Sequence, residues 1–251
     1  MERSGKEAGI SIGCWLNTPS LFACEIMAAA GYDAVFLDGE HGILGPHDID
    51  RLTALGKALG LSVYVRVATA GRPQIQQALD AGADGLILPQ VRDFEDARAC
   101  TAYAKYPPLG TRGMGSPRSL KYGDTPANFV DSENRRTRCF VMIETEGAMR
   151  DVDRIVALPT VDGLYMGPYD LSLQRGRGQY TKTAGDRADA DRIARATHEA
   201  DKLLGIPAFG DDDLALAKSQ GASIITIGDE VSMMTEILRG NLLRVRKQLA
   251  G

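Results

Sequence analysis

The chain has 251 residues, of which 44% are hydrophobic, and a formal net charge of −4 from 29 basic and 33 acidic residues. This length and apolar content suffice for one large α/β domain with a full core. Charges of both signs are mixed along the sequence, which argues against partners such as nucleic acid or an anionic membrane surface. Small-molecule chemistry is the function class that remains.

The sequence also bears on location and domain number. No apolar run approaches membrane-spanning length, and the N-terminal MERSGKEAGIS lacks the apolar core of a secretory signal, so we expect a cytoplasmic protein. The four cysteines are scattered without C-x-x-C spacing, which predicts reduced, structural thiols: Cys14, Cys24, Cys100 and Cys139. No linker composition interrupts the chain, so residues 1–251 are predicted to form a single domain.

Short apolar runs alternate with helical segments along the whole chain. The predicted strands are Ile10 to Trp15, Ala34 to Asp38, Ser62 to Val67, Gly85 to Leu88, Phe140 to Ile143, Gly163 to Met166, Ile206 to Phe209 and Ser223 to Ile227. Eight strands that alternate with helices predict a (β/α)8 barrel. A doubly wound open sheet is the structural alternative, but the first strand is not followed by the dinucleotide fingerprint G-x-G-x-x-G.

Two predicted strands deliver carboxylates to one rim of the barrel. Glu144 follows the strand Phe140 to Ile143, and Asp170 follows Gly163 to Met166, with a helix predicted between them over Gly147 to Leu158. Parallel strands place their carboxyl ends on the same side, and hard oxygen ligands suit a divalent cation such as Mg²⁺ or Mn²⁺. Helix caps or solvated loop charges are the plainer interpretation of the same pair.

Other polar residues lie at predicted strand ends, where the active sites of such barrels are built. Asp38, Glu40 and His41 follow the second strand, and Gln90 follows the fourth. Arg66 lies within the third strand, where a buried guanidinium needs an anionic partner, either a substrate or a structural carboxylate.

Asp80 lies late in the third predicted helix, where its charge opposes the helix dipole, so a specific partner is one interpretation and a solvent-exposed carboxylate is the plainer one. No lysine falls in a predicted strand, which disfavours a Schiff-base mechanism and favours a metal for carbonyl chemistry.

The chain resembles the HpcH/HpaI aldolases, metal-dependent class II enzymes that act on pyruvate. The resemblance runs from about Ile10 to the C-terminus and is carried by six motifs: DGEHG at 38–42, VRV at 65–67, ALDAGADGLILPQV at 78–91, YPPLGTRGMG at 106–115, IETEGAM at 143–149 and GPYDLS at 167–172. Two positions depart from it. Met142 stands where several relatives carry glutamine, and Tyr169 replaces a residue that is often smaller.

The resemblance implies a role for each matching residue. Glu144 and Asp170 would hold Mg²⁺, Mn²⁺ or Co²⁺, and Arg66 would bind the pyruvate oxygen. His41 paired with Asp80 would handle the proton, supported by Asp38. Gln90, Gly167 and Pro168 would contact the keto acid. It also implies a homo-oligomer, a trimer of dimers, in which the C-terminal helix packs on a neighbouring subunit.

The predicted reaction is the reversible retro-aldol cleavage of a 4-hydroxy-2-keto acid to pyruvate and an aldehyde. The pocket for the aldehyde is expected to come from the loop around Arg112 to Tyr122, with a neighbouring chain as a further source. Two alternatives stay open at this point. One uses the same metal enolate to decarboxylate keto acids or to cleave a CoA ester of the citrate or malyl-CoA type. The other is a catalytically silent barrel that binds keto acids.

Overall fold

Eight parallel strands close into a barrel in the computed structural model, which describes residues 9–123 and 125–250. Each strand pairs with the next along the chain, and the last pairs with the first. The strands are β1 (Ser11–Leu16), β2 (Ala34–Asp38), β3 (Ser62–Arg66), β4 (Gly85–Leu88), β5 (Arg138–Ile143), β6 (Gly163–Met166), β7 (Leu203–Pro207) and β8 (Ile224–Asp229). The predicted (β/α)8 barrel is confirmed, and the open sheet is wrong.

Helices surround the barrel and connect successive strands. They are α1 (Leu21–Ala30), α2 (Pro46–Ala58), α3 (Arg72–Asp80), α4 (Phe94–Thr101), α5 (Phe129–Arg136), α6 (Glu146–Arg150), α7 (Val152–Val156), α8 (Pro168–Gln174), α9 (Ala184–Glu199), α10 (Asp211–Ser219) and α11 (Glu230–Ala250). Two 3-10 helices, Ala102–Ala104 and Arg118–Gly123, lie in the long connection between β4 and β5. None of the helices among the described residues has the length and apolar character needed to cross a membrane.

Two hydrophobic cores stabilise the barrel. The larger lies between the outer face of the strands and the helices, and the smaller fills the barrel interior with aromatic rings. Glycines on the strands make room for these rings, because a Cβ at Gly163 would lie 2.5 Å from the Phe140 ring and one at Gly205 2.4 Å from the Tyr165 ring. The interior is therefore a packed floor beneath the carboxyl ends of the strands.

Some predicted boundaries differ from the structure. The helix expected over Asp189 to Leu204 is α9, which begins five residues earlier because the Thr183 hydroxyl and the Asp186 carboxylate form a capping box. Strand β7 accordingly lies at Leu203–Pro207 rather than Ile206 to Phe209. The helix predicted over Gly147 to Leu158 is two short helices that meet at Asp151. The N-terminal MERSGKEAGIS, for which no secretory signal is predicted, lies mostly outside the described residues.

Candidate active site

A cavity opens at the carboxyl ends of the strands. Its lining residues are Trp15, Asn17, Asp38, His41, Arg66, Met142, Glu144, Tyr165, Met166, Gly167, Pro168, Tyr169, Asp170, Pro207, Phe209 and Asp229. Four carboxylates and one arginine belong to this set. Most of the residues that the sequence assigned to chemistry therefore share one cavity, with Asp80 and Gln90 as the exceptions.

Arg66 and Asp38 form a bidentate ion pair in this cavity. The last residues of β2 and β3 lie side by side in register. Arg66 donates from Nε to Asp38 Oδ1 at 2.9 Å and from Nη2 to Oδ2 at 2.6 Å. Burial alone would raise the pKa of Asp38, but the hydrogen bonds and charge of Arg66 lower it. The expected anionic partner of Arg66 is thus a structural carboxylate.

Two further groups fix the guanidinium of Arg66. Its Cζ lies 4.7 Å from the centroid of the Trp15 ring, and its Nη1 is 3.4 Å from Glu40 Oε2. That Glu40 oxygen is buried and accepts no hydrogen bond from the described residues. Burial raises the pKa of Glu40, and the charges of Asp38 and Asp170 add to the rise although Arg66 and His41 oppose it. Arg66 is therefore held as a fixed cation among carboxylates.

Glu144 follows β5 and is almost wholly buried, with 1% of its surface exposed. Its Oε1 accepts a hydrogen bond from the backbone N–H of Gln90. Burial raises the pKa of Glu144 to about 7, and the negative charges of Glu40 and Asp170 contribute to the rise. An ionised carboxylate in such a place needs a compensating cation.

Asp170 lies in the first turn of α8, directly after the tight turn at Gly167 and Pro168. A Cβ at Gly167 would lie 2.6 Å from Glu144 Cβ and 2.9 Å from Glu144 Oε2, so only glycine allows the chain to pass this close to the carboxylate. The turn thereby brings the two predicted metal ligands into one cavity. Gln90 contributes its backbone N–H to Glu144, while its side chain does not line the cavity.

His41 lies at the cavity mouth with 63% of its side chain exposed, and its Nε2 is 3.7 Å from Glu40 Oε2. Within one chain the structure does not bring Asp80 to His41. Asp80 accepts a hydrogen bond from Arg112 Nη2 at 3.1 Å and lines a separate cavity. The reason is electrostatic, because the fully buried Arg112 needs Asp80 and Glu133 as counter-ions.

The loop around Arg112 to Tyr122 also lies away from this cavity within one chain. Its residues Pro117, Arg118 and Tyr122 line the second cavity together with Asp80. Tyr169 and Phe209, which lie outside that loop, line the active-site cavity.

Trp15, Glu40 and Phe209 contribute to the site without a role assigned from the sequence. Glu40 was noted only as a polar neighbour, and its position in DGEHG, one residue before His41, was the available signal. Trp15 and Phe209 gave none, because their contacts depend on how the strand ends meet in the closed barrel.

The carboxylates of this cavity fit a divalent cation. Glu144 and Asp170 both line it, the buried Glu40 oxygen lacks a hydrogen-bond donor among the described residues, and the raised pKa of Glu144 points to missing positive charge. Among the residues that the structure describes, no three His, Cys, Asp or Glu side chains converge into a complete site. Mg²⁺ is commonly bound by two protein carboxylates, and water and substrate supply its remaining ligands.

Comparison with known proteins assigns the chain to a family. The family model described as HpcH/HpaI aldolase/citrate lyase matches residues 11–236. A hydroxypyruvate/pyruvate aldolase of Roseovarius nubinhibens is 32% identical over 94% of this chain and 92% of its own. A 2-keto-3-deoxy-L-rhamnonate aldolase of Shigella dysenteriae is 30% identical over 91% of this chain and 86% of its own.

The fold agrees with a solved structure of the same family. The crystal structure of an HpcH/HpaI aldolase from Desulfitobacterium hafniense superposes with a TM-score of 0.86 at 30% identity, over 94% of this chain and 93% of that one. The family model and the solved structure each match most of the chain. The chain therefore belongs to the HpcH/HpaI aldolase/citrate lyase family.

Proposed function

We propose that this protein is a metal-dependent aldolase that reversibly cleaves a 4-hydroxy-2-keto acid to pyruvate and an aldehyde. The observation that carries the proposal is the convergence of Glu144, Asp170, Arg66 and His41 on one cavity at the carboxyl ends of the strands. The names of the two relatives above support a keto acid as substrate. They favour aldol cleavage over decarboxylation or cleavage of a CoA ester.

The cofactor of this reaction would be Mg²⁺, Mn²⁺ or Co²⁺, held by Glu144 and Asp170. When bound, such a cation supplies Lewis-acid stabilisation for the negative charge that develops on the keto oxygen. Arg66 adds a second, fixed positive charge, because Asp38 and Trp15 hold its guanidinium in place before the substrate arrives. Pro168 and the Gly167 turn form the wall beside the two carboxylates.

His41 is the proposed acid and base. In the cleavage direction it accepts the proton of the 4-hydroxyl group while the C3–C4 bond breaks and the electron pair of that bond enters the enolate. The protonated His41 then returns its proton to C3, which completes pyruvate and restores the neutral ring, and the aldehyde leaves. Glu40, 3.7 Å from His41 Nε2, lies where it can orient the ring and stabilise its protonated form. Asp38 supports the loop, because its Oδ1 accepts a hydrogen bond from the backbone N–H of His41 at 3.2 Å.

Asp80 lies apart from the other residues that are predicted to be catalytic. Within one chain it neutralises Arg112, so the structure supplies no contact through which it would assist His41. A catalytic role for Asp80 stays a prediction from the resemblance.

A homo-oligomer is the proposed assembly. Helix α11 has no buried residue, and it carries an apolar stripe at the spacing of a helix that packs on another: Val231, Met234, Leu238, Leu242, Val245 and Leu249. Such a stripe is a hydrophobic surface that monomeric proteins rarely leave in water. The hexameric state and the cytoplasmic location stay predictions.

Two measurements test the proposed reaction. Pyruvate is incubated with the protein and Mg²⁺ in D₂O, and exchange of its C3 protons is followed by NMR. The protein is then incubated with pyruvate, Mg²⁺ and each of a panel of aldehydes, and the product masses are measured by mass spectrometry. We expect C3 exchange and a 4-hydroxy-2-keto acid, both lost in EDTA and restored by Mg²⁺, Mn²⁺ or Co²⁺. Full activity in EDTA would reject the metal, and absence of both signals would support the silent barrel.

A further inference from the structure

Two half-exposed aromatic rings form one wall of the active-site cavity. Tyr169 lies in the first turn of α8 beside Asp170, and Phe209 lies in the loop after β7. Their ring centroids are 5.9 Å apart at an interplanar angle of 71°, and each residue is 51% exposed. Rings of this size normally bury most of their surface. The pair therefore presents apolar surface to a ligand in the cavity.

This aromatic wall, Tyr169 and Phe209, is held from behind. The ring of Tyr180 packs against Tyr169 with a centroid distance of 5.3 Å. The backbone N–H of Phe209 donates to Asp213 Oδ2 at 3.1 Å, and Asp213 Oδ1 pairs with Lys182 Nζ at 2.8 Å. Because the rings are already positioned, binding against them costs little additional side-chain entropy.

The charges around the wall disfavour an anionic ligand there. Asp170 and Asp229 line the same cavity, and Lys182, two residues after Tyr180, is already paired with Asp213. Among the described lining residues, Arg66 is the only arginine or lysine, and the proposed function assigns it, together with the metal, to the keto acid. A phosphate or carboxylate beside the aromatic wall would thus meet carboxylates without a cation to balance it.

We infer that the acceptor aldehyde carries an uncharged apolar group, with an aryl group as the best probe, which packs against Tyr169 and Phe209. The inference rests on the proposed aldol reaction, in which the keto-acid end of the substrate lies beside Arg66, Glu144 and Asp170. The new bond joins C3 of pyruvate to the aldehyde carbon, so the aldehyde substituent extends away from those residues. Tyr169 adjoins Asp170 in the chain, which makes the wall the neighbouring surface.

A binding experiment tests the wall without requiring turnover. The ligand 4-phenyl-2-oxobutanoate has an aryl group on C4 but lacks the 4-hydroxyl, so retro-aldol cleavage cannot occur. Its Kd is compared with that of 2-oxobutanoate in the presence of Mg²⁺, using the fluorescence of Trp15, the single tryptophan of the chain, which lines the cavity. We expect the phenyl ligand to bind at least about tenfold more tightly, a preference lost in Tyr169→Ala and in Phe209→Ala.

A kinetic experiment measures the same preference in the reaction. The ratio of kcat/KM for benzaldehyde to that for glyceraldehyde is determined with pyruvate and Mg²⁺ for the full-length protein and its variants. We expect the ratio to fall about tenfold in Tyr169→Ala and in Phe209→Ala, and to be kept in Tyr169→Phe. Tyr122→Ala is the matched control, because Tyr122 is also an exposed aromatic residue but lines the other cavity.

The outcomes separate this inference from the proposed function. Equal affinities for the two keto acids, or a preference that survives both alanine substitutions, would overturn the aromatic wall while leaving the aldolase proposal in place. If no aldehyde reacts but the phenyl ligand keeps its preference and loses it in the variants, the proposed reaction fails and the apolar subsite stands.

Discussion

Arg66 and Asp38 end neighbouring strands and face each other through two hydrogen bonds, of 2.9 and 2.6 Å, on the floor of the cavity. The pair places a positive charge under the proposed keto-acid site and also ties down the loop that carries His41, since Asp38 accepts the backbone N–H of His41. In the proposed mechanism, stability and catalysis would therefore depend on the same two side chains.

Replacing Asp38 by Asn tests the structural half of this pair. Asn keeps the size but leaves the buried Arg66 without its full charge partner, and we expect a loss of about 3 kcal/mol in the free energy of unfolding by urea at pH 7. Because Arg66 lowers the pKa of Asp38, its contribution is complete above the unfolded pKa near 3.8 and is lost as the pH falls through the lower folded value. An equal loss at every pH would contradict this assignment.

Replacing Arg66 by Lys tests the catalytic half. Lysine keeps the charge but not the planar fork to Asp38 or the stacking on Trp15, so we expect kcat/KM for retro-aldol cleavage to fall about 100-fold. Arg72→Lys is a matched control, because Arg72 stacks on Tyr103 at a similar 4.7 Å outside the cavity. A similar loss in both variants would mean that the role of Arg66 is not specific to the site.

Glu144→Gln is expected to stabilise the metal-free protein. The folded pKa of Glu144 is about 7 against a reference of 4.5, so between these values the folded state holds more protons and stability falls as the pH rises. In EDTA the Gln variant should gain on the order of 3 kcal/mol above pH 7, given about 1.4 kcal/mol per pKa unit, and nothing below pH 4.5.

The control for this stabilisation is Glu133→Gln, a second buried glutamate. Glu133 pairs with Arg112 and Arg136, so its neutralisation should destabilise the protein instead. Thermal unfolding with Mg²⁺ gives a further readout, since the cation should raise the Tm of the wild type and not that of Glu144→Gln. A Tm shift of equal size in both proteins would place the cation elsewhere.

His41→Ala is expected to lower kcat for retro-aldol cleavage by a factor of about 100 to 10,000 while changing KM less, because a proton-transfer group acts mainly in the transition state. His47→Ala serves as the control, since His47 is also exposed but lines the second cavity. If KM rises as much as kcat falls, His41 binds the substrate rather than moving a proton.

Charge on helix α11 is expected to break the oligomer. Leu238 and Leu242 are 62% and 50% exposed in one chain, and the double substitution to Glu should shift the mass by light scattering towards the monomer. The matched control is Glu at the exposed polar Arg239 and Gln248 of the same helix. An unchanged mass in the Leu238 and Leu242 variant would remove α11 from the interface.

The sequence predicted the succession of strands and helices better than the contacts between residues that are distant in the chain. The bounds of β2, β4 and β6 matched because each short apolar run ends at a local stop signal, which is Asp38 for β2, Pro89 for β4 and Gly167 for β6. The predicted position of β7 was wrong because LLGIPAF is apolar throughout and contains no boundary signal, and because the capping box at Thr183 starts α9 earlier than predicted. The partners of Asp80 and the stacking of Trp15 on Arg66 join distant segments, and no local pattern encodes them.

The four carboxylates and one arginine that line the cavity imply an order of events. An approaching keto acid is itself an anion, and the local charge would repel it until a cation has been taken up. Saturation by substrate should therefore depend on how much metal is already loaded. In a cell that lacks this metal, the protein would stay folded but would not bind its keto acid.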